Sequence, residues 1–187
     1  MVENKNVNIN NNQSNEIRQT FLSSAISDIA TYIQLADKKV SIIMASLVAL
    51  IAGIVSCYGA VFQILSNVKP CSWIGVGIFI FSLIYLGSII AVFAFGILTI
   101  RGHSSKIGYK SKWFLSQSTK EYSFDAYKQD IKDMTDQDVI ENMAAELYKL
   151  NDINRQKANT MKWVIYSFAL SLVALMAISL ILLISVL

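Results

Sequence analysis

The chain has 187 residues, of which 54% are hydrophobic and 16% charged, with a formal net charge of +3. Soluble domains typically hold about 45–50% apolar and about 25% charged residues, so this balance argues against one. The modest positive charge does not point to nucleic acid, and the two cysteines, Cys57 and Cys71, offer neither a disulfide framework nor metal spacing.

Residues 1–15 are polar and asparagine-rich. The first apolar stretch starts near residue 40, too late for the short apolar core of a cleavable signal, and the opening segment is expected to be a disordered leader. From residue 16 a stripe appears. Leu22, Ile26, Ile29, Ile33, Ala36 and Val40 follow one another at intervals of 4, 3, 4, 3 and 4, which is one face of an α-helix and close to a coiled-coil seam. No Gly or Pro interrupts it before the apolar stretch, so one helix from about Glu16 to about Ser66 is expected, polar over 16–39 and membrane-spanning over 40–66. Pro70, the only proline, lies just beyond, where a helix is expected to turn.

Charges are absent from Val40 to Val68, from Pro70 to Ile100 and from Trp163 to Leu187. Roughly 20 predominantly apolar residues cross the hydrocarbon core of a bilayer, and a soluble helix would carry charges on its outer face. The expected architecture is therefore an all-α membrane protein with three transmembrane helices (40–66, 71–100 and 163–187). Small residues recur every four positions in Ala45, Ala49 and Gly53, in Ala52, Ser56 and Ala60, and in Gly87 and Ala91. Such faces let helix backbones approach closely in lipid.

The segment 101–134 opens with Gly102, Gly108 and several serines and is expected to be irregular, with a short strand at Trp113–Leu115. A helix is expected from about Phe124 to about Met134. Thr135 or Asp136 then caps the next helix, which places Asp136 and Asp138 at its positive end. That helix carries its own stripe, Ile140, Met143, Leu147 and Leu150, which turns polar at Asn154 and Lys157. Without a Gly or Pro it should run from about 135 through the third span.

Basic residues near the spans set orientation. Lys38 and Lys39 precede the first span. Arg101, Lys106, Lys110 and Lys112, then Lys149, Arg155, Lys157 and Lys162, lie between the second and third, against Lys69 alone in the short link. The N-terminus and the large loop are expected in the cytosol and the C-terminus outside. The first and third spans then extend as parallel helices into a cytosolic helical stalk, packing together within one subunit or between subunits.

One histidine, His103, leaves no His-based metal cluster. There is no glycine-rich phosphate loop and no nucleophile elbow. The loop's nine acidic and eleven basic residues read as a solvated face. No enzyme and no cofactor are expected. A transporter is disfavoured because no charge lies inside a span. Two places remain. Asp37 stands three residues before the first span, where a carboxylate is costly unless paired. Lys157, or Arg155, on the last helix is the expected partner of a coupling ion pair, against the plainer reading of a snorkelling lysine and an exposed Asp. The second place is the basic and aromatic run. Arg101, Lys106, Lys110 and Lys112 could hold a phosphate while Trp113 and Tyr122 stack on a base. The same residues suit a lipid-headgroup belt.

The segment Tyr32-Ile33-Gln34-Leu35-Ala36-Asp37-Lys38-Lys39, running directly into the first span, resembles the corresponding motif of the Pycsar transmembrane effectors. In that family an apolar or aromatic helix ends in Ala-Asp with a lysine one or two places on. Tyr122 and Tyr127, ahead of a helix with Leu147, Tyr148, Asn151 and Lys157, are similar too, as is the order of two spans, a polar segment and a final span. Val40 stands where a small residue is expected. The resemblance implies a bacterial inner-membrane antiphage effector. A partner nucleotide cyclase would make cyclic CMP or cyclic UMP on infection, and the effector would sense it and impair the membrane so that infection aborts. Oligomerisation of identical subunits would let several ligands act together. The competing expectation is a small adaptor membrane protein whose cytosolic helices recruit a soluble partner. The expected topology has a direct check: a reporter fused after Leu187 should be active only outside the cytosol, and cytosolic activity alone would overturn it.

Overall fold

The computed structural model describes residues 3–66, 72–101 and 123–186. These residues form five helices, and no strand occurs among them: α1 (Glu3–Ser56), α2 (Tyr58–Ser66), α3 (Trp73–Ile100), α4 (Phe124–Lys132) and α5 (Asp136–Val186). Three of them, α1, α3 and α5, are long and apolar enough to cross a membrane. An α-helix satisfies its own backbone N–H and C=O groups, the condition for lying in hydrocarbon.

The helix boundaries differ from expectation in three places. α1 starts at Glu3, so helix takes in most of the asparagine-rich stretch assigned to a disordered leader. Once a downstream stripe has nucleated a helix, each added asparagine costs only about 0.7 kcal/mol or less relative to alanine. The first span is not one uninterrupted helix to Ser66, because the chain turns at Cys57. There the Cys57 N–H donates to both Gly53 O and Ile54 O at 3.2 Å, and the Ser56 hydroxyl donates to Ala52 O at 2.8 Å. This shared and diverted bonding loosens the i to i−4 ladder where Gly53 already weakens it. Finally, α4 ends at Lys132, with Asp133 as its cap. The expected strand at Trp113–Leu115 falls outside the described residues.

The other helix starts are capped by side chains. Ser72 accepts from the Gly75 N–H at 3.1 Å, and Ser123 accepts from the Ala126 N–H at 3.3 Å. At α5 the Thr135 hydroxyl accepts from the Asp138 N–H at 3.2 Å, while the Asp138 carboxylate accepts from the Thr135 N–H at 2.9 Å. This reciprocal box satisfies two otherwise orphaned donors.

The chain divides into two compact units. One comprises residues 1–34 and 103–155, with the first part of α1, α4 and the first part of α5. The other comprises residues 35–102 and 156–187, with the apolar parts of α1, α3 and α5 and all of α2. In this second unit Leu47, Val92 and Val164, one from each long helix and all fully buried, form a cluster with Met44, Ile51, Phe95 and Phe168 packed around them. On α5 the buried positions Lys157, Val164 and Ser171 recur every seven residues, the interval of a coiled-coil seam.

The polarity of this unit is inverted relative to a soluble protein. Its interior holds Ser88, Thr99 and Ser171, whose hydroxyls donate to carbonyls of their own helices at 2.7–2.8 Å. Its exterior displays Ile42, Phe79, Leu86, Ile90, Val173 and Leu183, each more than half exposed. Contiguous apolar surface of this kind is rare on soluble monomers and is what lipid requires. In lipid the drive to pack comes from close contact rather than from water, so small residues belong inside. The close approach is at Gly96 of α3. A Cβ placed there would lie 2.7 Å from Met44 Sδ and 3.5 Å from Val40 Cγ1. Val40 itself is fully buried, so the large residue at that position is accommodated by the missing side chain opposite. By contrast Ala45, Ala49 and Gly53 face outward, and nothing lies within 4 Å of a Cβ at Gly53 or Gly87.

The two kinds of glycine should separate in a melting experiment on purified protein. Gly96→Leu should cost about 1–3 kcal/mol by overpacking and lower Tm by several degrees. Gly87→Leu should leave Tm nearly unchanged.

Candidate functional site

Among the described residues, the buried charge of the apolar unit is Lys157. Asp37 is carried by α1 between Ala36 and Val40, which are 8% and 0% exposed. Lys157 occupies a seam position of α5, seven residues before Val164. Its Nζ donates to both Asp37 carboxylate oxygens, at 2.6 and 2.7 Å. The lysine side chain is only 6% exposed and the aspartate 35%. A buried ammonium lacking a counter-charge is strongly destabilising, so the lysine can occupy a core position only because the carboxylate reaches it. The Ser41 hydroxyl donates to Asp37 O at 2.9 Å, and the Thr160 hydroxyl donates to Lys157 O at 3.0 Å. Both charge-bearing turns are therefore tied into hydroxyl bonds where polar sequence gives way to apolar. Just beyond, Trp163 stacks on Phe95 with ring centroids 6.0 Å apart, an aromatic at the depth where amphipathic rings gather.

Arg155, the other cation considered for Asp37, points elsewhere. Its Nη2 lies 2.8 Å from Asp152 Oδ1, three residues back on the same helix, and its side chain is 76% exposed. One bond to a residue of its own helix surface contributes little.

Among the residues considered for nucleotide binding, Arg101 is the exposed C-cap of α3, its N–H donating to Ile97 O at 2.8 Å. Lys106, Lys110, Lys112, Trp113 and Tyr122 lie outside the described residues.

One functional candidate escaped the sequence reading. The acidic residues of the loop had the pattern of a solvated face, but Glu146 is only 5% exposed, and its Oε2 is buried with no hydrogen-bond partner. Its neighbours on the same face of α5 are Met143, 6% exposed, and Asn142, 3% exposed, whose amide donates to Asp138 O at 2.8 Å. The available signal was Glu146's place three residues after Met143, beside the apolar stripe rather than opposite it. Among the described residues no group of His, Cys, Asp and Glu is arranged to hold a metal ion.

The model of a family described as the Pycsar effector protein domain matches residues 21–184 of the chain. The match runs through all three candidate spans and includes both Asp37 and Lys157. No curated protein and no solved structure matches the chain.

The ion pair has a charge-reversal test. Asp37→Lys should destabilise the purified protein by about 2 kcal/mol, less than a fully buried pair would lose because Asp37 is partly exposed. Lys157→Glu should do the same. The double exchange should recover most of the lost Tm, and no recovery would mean that the two charges do not interact.

Proposed function

The chain belongs to the Pycsar effector family, and from that premise we propose that it is the membrane effector of a bacterial antiphage system that senses a cyclic pyrimidine mononucleotide and impairs the inner membrane. The observation that carries this reading is the extent of the family match, residues 21–184, which takes in the polar helical segments and the apolar spans together. In this reading the segment between the second and third spans is cytosolic, the N-terminus is cytosolic and the C-terminus lies outside. A nucleotide cyclase acts as functional partner and supplies cyclic CMP or cyclic UMP, and the lipid bilayer is the target. Arg101, Lys106, Lys110 and Lys112 are assigned to the ligand's phosphate, with Trp113 and Tyr122 against the base. No bond is made or broken by the protein itself.

Several physical features support the coupling. α1 is unbroken from Glu3 to Ser56 and α5 from Asp136 to Val186, so each continues from a polar segment into an apolar one. A helix of that kind passes on a rotation or a shift instead of absorbing it at a loop. In this reading the bidentate Asp37–Lys157 contact is the element whose balance the ligand biases. Moving an equilibrium from 1:99 to 99:1 takes about 5.5 kcal/mol of differential binding. Assembly of identical subunits lets several ligands contribute to that difference.

The decisive measurement is dye-reported membrane potential in cells expressing the protein, with and without cyclic CMP or cyclic UMP delivered to the cytosol. Loss of potential within minutes is expected with the recognised nucleotide and not without it. Full potential in both conditions would overturn the effector mechanism and favour an adaptor that recruits a soluble partner.

A further inference from the structure

Within the apolar unit α3 and α5 run in opposite directions and keep one register. Trp163 stacks on Phe95 with ring centroids 6.0 Å apart, Val164 shares a cluster with Val92, and a Cβ at Gly77 would lie 3.5 Å from Ile181 Cδ1. Each step along α3 towards Trp73 is thus matched by a step along α5 towards Val186. Seven residues from the Val92–Val164 layer, on both helices and on both sides, stand polar residues. Thr99 and Lys157 form the layer on the side of the ion pair, and Tyr85 and Ser171 form the layer on the other. Seven residues are about 10.5 Å of helix, so an apolar layer separates two polar ones inside the bundle.

The two polar layers differ in how their groups are satisfied. In the first, the Thr99 hydroxyl donates to Phe95 O at 2.8 Å and Lys157 donates to Asp37. In the second, the Ser171 hydroxyl donates to Phe168 O at 2.7 Å, and its oxygen keeps the capacity to accept. The Tyr85 hydroxyl is buried and has no partner. A donor shut inside a helix bundle in hydrocarbon has no bulk water to turn to, so leaving it unpaired is costly. Helix side chains lean towards the N-terminus of their own helix, which carries the phenol from the Ser171 layer towards the Trp73 end of α3. A shift of α5 along its axis in that direction brings Ser171 level with the hydroxyl. The same shift draws Lys157 away from Asp37.

We propose that Tyr85 and Ser171 form a latch that is open in this structure and closes on activation. In that step α5 moves by about one turn, roughly 5.4 Å, against α3. It gives up the Lys157–Asp37 contact and gains a hydrogen bond from the Tyr85 hydroxyl to Ser171 Oγ. The proposal rests on the nucleotide-driven effector given under Proposed function and adds which contact forms inside the span when the one at its edge is lost. The exchange keeps both states within reach of a ligand. The resting arrangement holds a bidentate ion pair and an unpaired donor. The activated one pairs that donor and leaves Lys157 near the end of the span, where a long side chain can carry its ammonium to water.

Depolarisation of cells by cyclic CMP or cyclic UMP, with melting of the same purified variants, tests the latch. Tyr85→Phe and Ser171→Ala should each raise the half-effective nucleotide concentration about 2- to 10-fold, the effect of losing one hydrogen bond made only in the activated state. The double variant should raise it no further than either change alone. Tyr85→Phe should melt no lower than wild type, because in the resting state the hydroxyl holds nothing, whereas a hydroxyl of structural value would lower Tm when removed. Ser88→Ala removes a buried hydroxyl that donates to Tyr85 O at 2.7 Å on the same helix, and it should leave the response unchanged. Wild-type responses from both Tyr85→Phe and Ser171→Ala overturn the latch and leave the effector reading standing. Additive effects of the two changes, a lowered Tm for Tyr85→Phe, or a Ser88→Ala shift as large as that of Ser171→Ala overturn it in the same way. Full membrane potential with either nucleotide in wild type overturns the effector reading and the latch with it.

Discussion

A lysine ammonium cannot leave water without a counter-charge, and in this protein that rule sets the register of two helices. Lys157 is 6% exposed in a column that continues as Val164 and Ser171. The residue is tolerable there because Asp37 offers both carboxylate oxygens within 2.7 Å. Sliding either helix by one residue moves its side chains about 1.5 Å along the axis and turns them by about 100°. Either displacement breaks the bidentate contact and leaves a buried charge. The pair thus does what an apolar contact at the same place could not, since apolar neighbours tolerate small slips.

Above that point the packing obeys the chemistry of a solvent with no hydrogen bonds to offer. Serine and threonine hydroxyls are turned onto their own helix carbonyls, and large aliphatic side chains stand outside. What brings α1 and α3 together is a missing side chain. Gly96 leaves room for Met44 and Val40, whose side chains fill the space a Cβ would take. Ala45, Ala49 and Gly53 of the first span are exposed, and among the described residues nothing lies within 4 Å of a Cβ at Gly53, so small-residue spacing alone does not identify a packing face.

The polar unit shares one device with the apolar one, where Ser72 caps α3. Its helices start with side-chain caps, Ser123 and the Thr135–Asp138 box, because water competes there for every orphaned amide. Its unsatisfied group is an acceptor, Glu146 Oε2. The apolar unit closes its buried charge, Lys157, on Asp37 and holds the buried Tyr85 hydroxyl without a partner.

The sequence by itself determined the three helices able to cross a membrane, because charge-free runs of that length have no stable place in water. It also pointed to the continuity of α5, since no Gly or Pro follows Gly108, and it carried the family motif through Ala36-Asp37-Lys38. It placed Asp37, Lys157 and Arg155 in one candidate set without ranking the cations, because a 3.6-residue period assigns residues to a face but says nothing about the height of one helix against another. Only the tertiary structure decided that Lys157 meets Asp37 while Arg155 turns to Asp152. The break at Cys57 escaped the sequence because it arises from hydrogen bonds shared among neighbouring carbonyls, not from a residue that forbids helix. Glu146 escaped it for a related reason. Whether a carboxylate beside an apolar stripe is wet or buried depends on what packs over it, and that is a property of the assembled helices rather than of their spacing.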